Sequence, residues 1–150
     1  MRITLDEGAY MPTRAHEDDG GLDLYARETQ IVPAKESATF DTGVHIELNE
    51  WELTDSLGET IARFKTVGYI KSKSGLNIKH GITSEGVIDM GYTGSIEVKL
   101  YNHSGRDYTV KKGDKITQLV IHPIFSPELE LVDSLEETER GSNGFGSSGR

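Results

Sequence analysis

Ile96-Glu97-Val98-Lys99-Leu100-Tyr101 places an apolar residue at every second position. Val44-His45-Ile46-Glu47-Leu48-Asn49 does the same. A period of two puts one set of side chains on a core face and the other toward water or a neighbouring subunit, the signature of a half-buried strand. Outward from these two runs lie further short β-rich stretches: Arg2–Leu5, Asp23–Ala26, Gln30–Pro33, Ala38–Asp41, Val67–Ile70, Tyr108–Lys111, Ile116–Ile121 and Leu129–Val132. Turn signals separate them at Asp19-Gly20-Gly21, Gly91, Ser104-Gly105, Lys112-Gly113-Asp114 and Pro123. Many short strands at such spacing predict an all-β sandwich or barrel. Helical signals are sparse. Ser74-Gly75-Leu76-Asn77-Ile78-Lys79-His80-Gly81 predicts one or two turns stopped by Gly81. Glu50 to Thr66, with Trp51, Leu53, Leu57, Ile61 and Phe64, fits either a short helix or a long polar hairpin.

The chain has 150 residues, the length of one domain. A chain of this size buries roughly 68–70% of its unfolded surface, so it needs no covalent staples. Sixteen basic against 25 acidic residues leave a net charge of −9. That balance argues against general nucleic-acid or anionic-membrane binding, both of which use basic patches. There is no cysteine, hence no disulfide framework, thiolate zinc site or cysteine nucleophile. No signal-like or membrane-length apolar run is present, and the expected setting is the cytoplasm. The C-terminal stretch changes character: Asp133, Glu136, Glu137 and Glu139 precede the glycine-rich Arg140-Gly-Ser-Asn-Gly-Phe145-Gly146-Ser147-Ser148-Gly-Arg150. Such an arm carries too little apolar area to order itself.

Several familiar chemistries are absent: no Walker lysine loop, no Rossmann glycine fingerprint, no His-Glu-x-x-His and no nucleophile elbow. The five histidines (His16, His45, His80, His103 and His122) lack metal-ligand spacing. Asn102-His103-Ser104 matches a glycosylation sequon by chance. The glycine arm is more suggestive. Glycine lets backbone N–H groups approach phosphate oxygens, arginine offers a fork for phosphate, and a lone phenylalanine in an arm without a core suits a planar ligand. Asp19-Gly-Gly-Leu-Asp23-Leu reads either as simple turn chemistry or as a carboxylate aimed at a metal or water. Asp89, after the apolar run Gly86-Val87-Ile88, reads as a turn former or as a general base at a rigid position. Lys73-Ser74-Gly75 opens the predicted helical turn with groups suited to phosphate. Gly113-Asp114-Lys115-Ile116-Thr117-Gln118 is a tight turn running into a strand.

The order of these five segments is far more specific than any one of them. Together they resemble the five motifs of the trimeric deoxyuridine triphosphate nucleotidohydrolases, the dUTPases, and they run from residue 19 to 149. The resemblance implies a jelly-roll-like β-barrel over residues 1–132 with one short helix. It also implies an acidic linker and glycine-rich C-terminal arm over 133–150, closing a neighbouring active site. The assembly would be a homotrimer with three interface sites, and the reaction would be hydrolysis of dUTP to dUMP and pyrophosphate with Mg2+. By the same resemblance Asp89 would be the general base for in-line attack of water on the α-phosphorus. Tyr92 would wall off a 2′-hydroxyl, and the hairpin carrying Gly86 and Ile88 would read uracil through backbone groups. Asp23 would hold a water of the Mg2+ shell. Lys73, Ser74, Gly75 and Gln118 would contact phosphates. Arg140 would grip the γ-phosphate, Phe145 would stack on uracil, and Gly146, Ser147 and Ser148 would add phosphate contacts.

The sequence departs from the family pattern in three places. Lys73 stands where the family usually has arginine, and Lys115 where it has arginine or lysine; lysine keeps the charge but loses the bidentate fork. The segment between Gly81 and Gly86 is short, which leaves the side chain that recognises uracil unassigned. Asn49 to Thr66 reads as an insertion, offering a surface for a protein partner. Two alternatives accompany the hydrolase reading. One is a dCTP deaminase or bifunctional deaminase–dUTPase of the same fold; the other is a dUTP-gated regulatory protein acting through residues 49–66.

Overall fold

A computed structural model describes residues 1–144. The described residues form eleven strands and one helix: β1 Arg2–Leu5, β2 Gly21–Tyr25, β3 Gln30–Val32, β4 Ser37–Asp41, β5 Val44–Glu47, β6 Trp51–Thr54, β7 Thr60–Lys71, α1 Ser74–His80, β8 Ile82–Ile88, β9 Glu97–Asn102, β10 Tyr108–Val110 and β11 Lys115–Ile124. The principal sheet runs β2-β11-β7-β8-β9-β4, with β6 paired to β7, and two-stranded ladders β1–β5 and β10–β3 complete the curled half-barrel. Every pairing is antiparallel.

The period-two reading holds on the two runs that suggested it. In β9 Val98, Leu100 and Asn102 are buried while Glu97, Lys99 and Tyr101 face outward. In β5 Val44 and Ile46 are the buried pair. These residues join Leu24, Val32, Phe40, Ile70, Ile82, Ile96, Val110, Ile116 and Leu119 in one core. Gly68 sits where β7 passes between β8 and β11. A Cβ there would lie 2.9 Å from Leu119 Cδ1 and 3.2 Å from Ile88 Cβ, so a side chain would force those core neighbours to shift. Asn102 is 2% exposed; its amide donates to the Val32 and Arg106 carbonyls and its Oδ1 accepts from Ser104 N–H. The sequon is therefore a structural turn.

The helix falls where predicted and ends at Gly81, whose φ of 65° is the left-handed cap conformation. Glu50–Thr66 resolves as a hairpin, β6 on the outer half of β7. Its turn is set by Asp55: Oδ1 accepts from the Leu57 and Glu59 N–H groups, and Gly58 supplies a φ of 85°. One expected strand does not form. Leu129–Val132 pairs with no strand among the described residues, and Leu129 and Leu131 stand fully exposed.

Phe40 is 1% exposed in the core, whereas Leu53 on the hairpin is 42% exposed. Phe40→Ala is expected to lower stability by about 3–5 kcal/mol through the cavity it leaves. Leu53→Ala is expected to change it by no more than about 0.5 kcal/mol. Urea unfolding of the two variants checks the contrast.

Candidate functional site

Three of the five segments meet on one rung of the sheet. Asp23 of β2 is opposite Gln118 of β11, which is opposite Lys71 of β7. β11 bulges between Lys115 and Thr117, and the consecutive residues Ile116 and Thr117 are both buried. The extra residue restores Lys115 to the face that Gln118 occupies, which regular alternation over three residues would deny it. Lys73 follows the end of β7 as the N-cap of α1; its side chain makes no cap bond and reaches Asp23 instead.

The outcome is a carboxylate held by two ammonium groups. Lys73 Nζ lies 2.5 Å from Asp23 Oδ1, Lys115 Nζ lies 2.8 Å from Oδ2, and Gln118 Nε2 donates to Oδ1 at 3.5 Å. The Asp23 side chain is only 4% exposed. Burial alone pushes its carboxyl upward, but hydrogen bonds and charge from Lys115 and Lys73 outweigh burial and hold it below the ordinary range. The hydrogen bond to Asp23 raises Lys115 in turn, against desolvation. Hydroxyls lock the rung beneath: Thr117 Oγ1 donates to the Lys71 carbonyl at 2.9 Å and lies 2.6 Å from Ser84 Oγ. Ser72 Oγ donates to the Ser84 carbonyl and accepts from Ser84 N–H.

The Asp89 segment forms a second, separate feature. β8 delivers Asp89 to an exposed turn, closed by Tyr92 N–H donating to the Asp89 carbonyl at 2.9 Å. Tyr92 OH donates to the Ser95 carbonyl at 2.8 Å, which lays the ring over Gly94; a Cβ on Gly94 would lie 2.5 Å from that hydroxyl oxygen. The turn is tied to β5 through His45. Its Nδ1 lies 2.9 Å from the Thr93 carbonyl and its Nε2 3.2 Å from Asp6 Oδ1. Arg27 bridges Asp6 and Asp41, and Ser95 Oγ donates to Asp41. The Thr93 contact raises the His45 pKa, burial works against this, and Asp6 and Asp41 add to the rise.

Asp23, Lys73, Lys115 and Gln118 are thus together, with Ser74 and Gly75 opening α1 beside them. Gly86 lies in β8 opposite Ile70, and Ile88 is opposite Gly68. Asp89 and Tyr92 follow that strand at its far end: four residues of strand, ~13 Å at ~3.3 Å each, separate their level from the Asp23 rung. Arg140 lies in a short turn, its Nε donating to the Asn143 carbonyl, and Phe145, Gly146, Ser147 and Ser148 lie outside the described residues. Asp19 is a turn former, its carboxylate accepting from His16 N–H. Two contributors are new. Lys115 belongs to the cluster through the bulge, for which the adjacent apolar-compatible pair Ile116-Thr117 is only a faint sequence signal. His45 anchors the Tyr92 turn, and nothing near it in the sequence marks that contact. Among the described residues no group of three or more metal-ligating side chains occurs, and no helix is long and apolar enough to cross a membrane.

A curled antiparallel sheet that gathers two ammonium groups, an amide and one buried carboxylate at its end has the donor set of phosphate-handling β proteins. The family model for dUTPase matches residues 7–149. The deoxyuridine 5'-triphosphate nucleotidohydrolase of Clostridium acetobutylicum is 38% identical over 97% of this chain and 92% of its own length. That of Gloeothece citriformis is 41% identical, covering 99% and 96%. The dUTPase of Staphylococcus bacteriophage 80alpha, solved with dUPNHPP, superposes with a TM-score of 0.82 at 30% identity, covering 99% of this chain and 98% of its own. The dUTPase of phage phi11 of S. aureus, solved as a variant showing coordination of a structural Mg(II) ion, gives 0.75 at 27% identity, covering 91% and 98%. The chain belongs to the dUTPase family.

Because its folded pKa is raised, protonated His45 stabilises the protein fully below the ordinary histidine value of about 6.5, and that contribution is lost as pH rises through the folded value. Melting temperature is therefore expected to fall from about pH 6.5 upward in the wild type. In His45→Gln the slope should be flatter. Scanning calorimetry across this range checks it.

Proposed function

We infer that the chain hydrolyses dUTP to dUMP and pyrophosphate, as a homotrimer whose sites combine residues of different copies. The observation that carries this reading is the Lys73–Asp23–Lys115–Gln118 cluster, three separate family motifs converging on one buried carboxylate. Lysines 73 and 115, the Gln118 amide and the N–H groups opening α1 at Ser74 and Gly75 offer cationic and polar donors to a triphosphate. The residues fit Mg2+ in one form only. A lone buried carboxylate with hard oxygens cannot cage the ion, but it can hold one of its waters while substrate phosphates supply the rest. Bound there, Mg2+ would supply neutralisation of phosphate charge, which a chain of net charge −9 otherwise meets with these lysines and Arg140.

Asp89, exposed at the head of its turn, takes a proton from water as the water oxygen bonds to the α-phosphorus; the bond from the α-phosphorus to the bridging oxygen breaks and pyrophosphate leaves. Tyr92, braced by Ser95 and Gly94, leaves no room for a 2′-hydroxyl. Backbone groups around Gly86 and Ile88 read uracil. Arg140 and the residues Phe145 to Ser148 close over the γ-phosphate and the base. The ~13 Å between the Asp23 rung and Asp89 along β7 supports a site completed by a neighbouring copy. So do Leu129 and Leu131, which alternate with Glu128 and Glu130 and stand fully exposed in one chain. A deaminase of the same fold is not favoured, because the relatives are named for the hydrolase.

Asp89→Asn is expected to lower kcat by about 10²–10⁴ while leaving the affinity for a non-hydrolysable dUTP analogue near the wild-type value. Near-normal turnover in that variant would remove Asp89 from the base role. Shared sites make a second expectation. Asp89→Asn and Asp23→Asn chains, each inactive alone, should regain activity when unfolded and refolded together, with roughly a quarter of sites intact if chains mix freely. A mixture as inactive as its parents would place both residues in the site of a single chain.

A further inference from the structure

Both oxygens of Asp23 are engaged by protein donors. Lys73 Nζ and Lys115 Nζ sit on opposite oxygens at 2.5 and 2.8 Å, and the Gln118 amide adds a third donor. Two ammonium groups around one carboxylate leave this spot with a local charge of +1. A divalent cation approaching Asp23 alone meets that surplus at close range in a poorly hydrated setting, where like-charge repulsion is strong. A triphosphate reverses the balance, since it outbids a single carboxylate for both ammonium groups. The lysines are able to move. Their side chains are 22% and 38% exposed, so each has a route to water that Asp23 lacks. Lysine also holds its partner as a flexible point charge rather than a bidentate fork. In that same position Lys115 Nζ lies 5.9 Å from the centre of the Tyr25 ring, so the ammonium has a neighbour besides Asp23.

Resting on the reading that Asp23 holds a water of Mg2+ beside the substrate phosphates, we propose that Lys73 and Lys115 form a charge latch. They keep divalent cations off Asp23 until a triphosphate draws them away, so the metal enters with the nucleotide and not before it. Metal and nucleotide are then linked ligands, each binding more tightly in the presence of the other. The lysines are positioning residues for the cation in this scheme, in addition to their contact with phosphate. A purely structural pair of counter-ions would leave the same linkage, because substrate phosphates themselves ligate the ion, but removing one lysine would then not tighten Mg2+ in the absence of nucleotide.

The test is calorimetric titration of Mg2+ into the full-length protein, with and without a saturating non-hydrolysable dUTP analogue. Wild type alone should show weak Mg2+ binding, tightened roughly tenfold or more by the analogue, within the usual range for linked ligands. Without nucleotide, Lys115→Met should bind Mg2+ roughly tenfold more tightly than wild type. Lys115→Arg, which keeps the charge, should behave as wild type, and adding Asp23→Asn to Lys115→Met should abolish the gain. Equal Mg2+ affinity in wild type with and without the bound analogue would overturn the latch. So would a Lys115→Met protein that binds no more tightly than wild type, or a gain that survives loss of the Asp23 carboxylate. If Lys115→Met does not fold, Lys73→Met in the same nucleotide-free titration decides: tighter Mg2+ binding is expected, and unchanged binding would overturn the latch. Failure of the analogue to bind at all would count against the dUTP reading instead, and the nucleotide-free comparison of wild type, Lys115→Met and Lys115→Arg would still decide the latch.

Discussion

A carboxylate at 3% exposure is the constraint around which one end of this molecule is arranged. Asp23 cannot be charged there without nearby cations, because an unpaired buried charge is among the costliest features a fold can carry. Meeting that need draws in three elements. β11 must bulge so that Lys115 and Gln118 share a face, and β7 must stop short so that Lys73 can turn back. α1 must begin with its N-cap side chain committed elsewhere. The hydroxyls of Ser72, Ser84 and Thr117 hold the strands in the register this requires. Charge compensation and strand geometry here are one arrangement, and its surplus of positive charge suits it to an anionic ligand.

The second constraint is length along β7. This twelve-residue strand serves the outer hairpin at one end, the core at its middle and the Asp23 rung at the other. Gly68 lets β8 and β11 press close to it, and β8 consequently delivers Asp89 away from the lysines. The Tyr92 turn is braced from its own side by His45, Asp6 and Arg27, a network with no member in the Asp23 cluster. One chain therefore presents two separately braced surfaces at different levels of the sheet.

The fold was legible where alternation was clean. β5, β9 and the ends of the single helix follow directly from side-chain period and from Gly81. Leu129–Val132 alternates equally well yet forms no strand, because period two reports a preference for pairing and not the presence of a partner. Glu50–Thr66 was undecidable by period alone; the outcome turned on the Asp55 side chain closing a tight turn, a local contact that periodicity does not register. At the site, Asp23, Lys73 and Gln118 were recognisable as motifs, but that they touch is a fact of register. Lys115 and His45 were missed as contributors for the same reason. Lys115 lies within a motif but reaches the cluster only through a bulge that Ile116-Thr117 signals faintly, and His45 makes its contact across 48 residues of chain with no local pattern to mark it.

Trp51 is the only tryptophan, and it packs its ring 5.6 Å from Phe64, which in turn meets Phe125 at 5.8 Å. Trp51 and Phe64 belong to the outer hairpin, which contributes no residue to the buried core, and Phe125 follows β11. Intrinsic emission at indole wavelengths is thus a private signal of the hairpin, while far-ultraviolet dichroism sums over the whole sheet. Peripheral elements with few buried contacts open at lower free energy than a core. A fluorescence melt and a dichroism melt of this protein accordingly follow two different events, and the gap between them measures how loosely the hairpin is attached to the barrel.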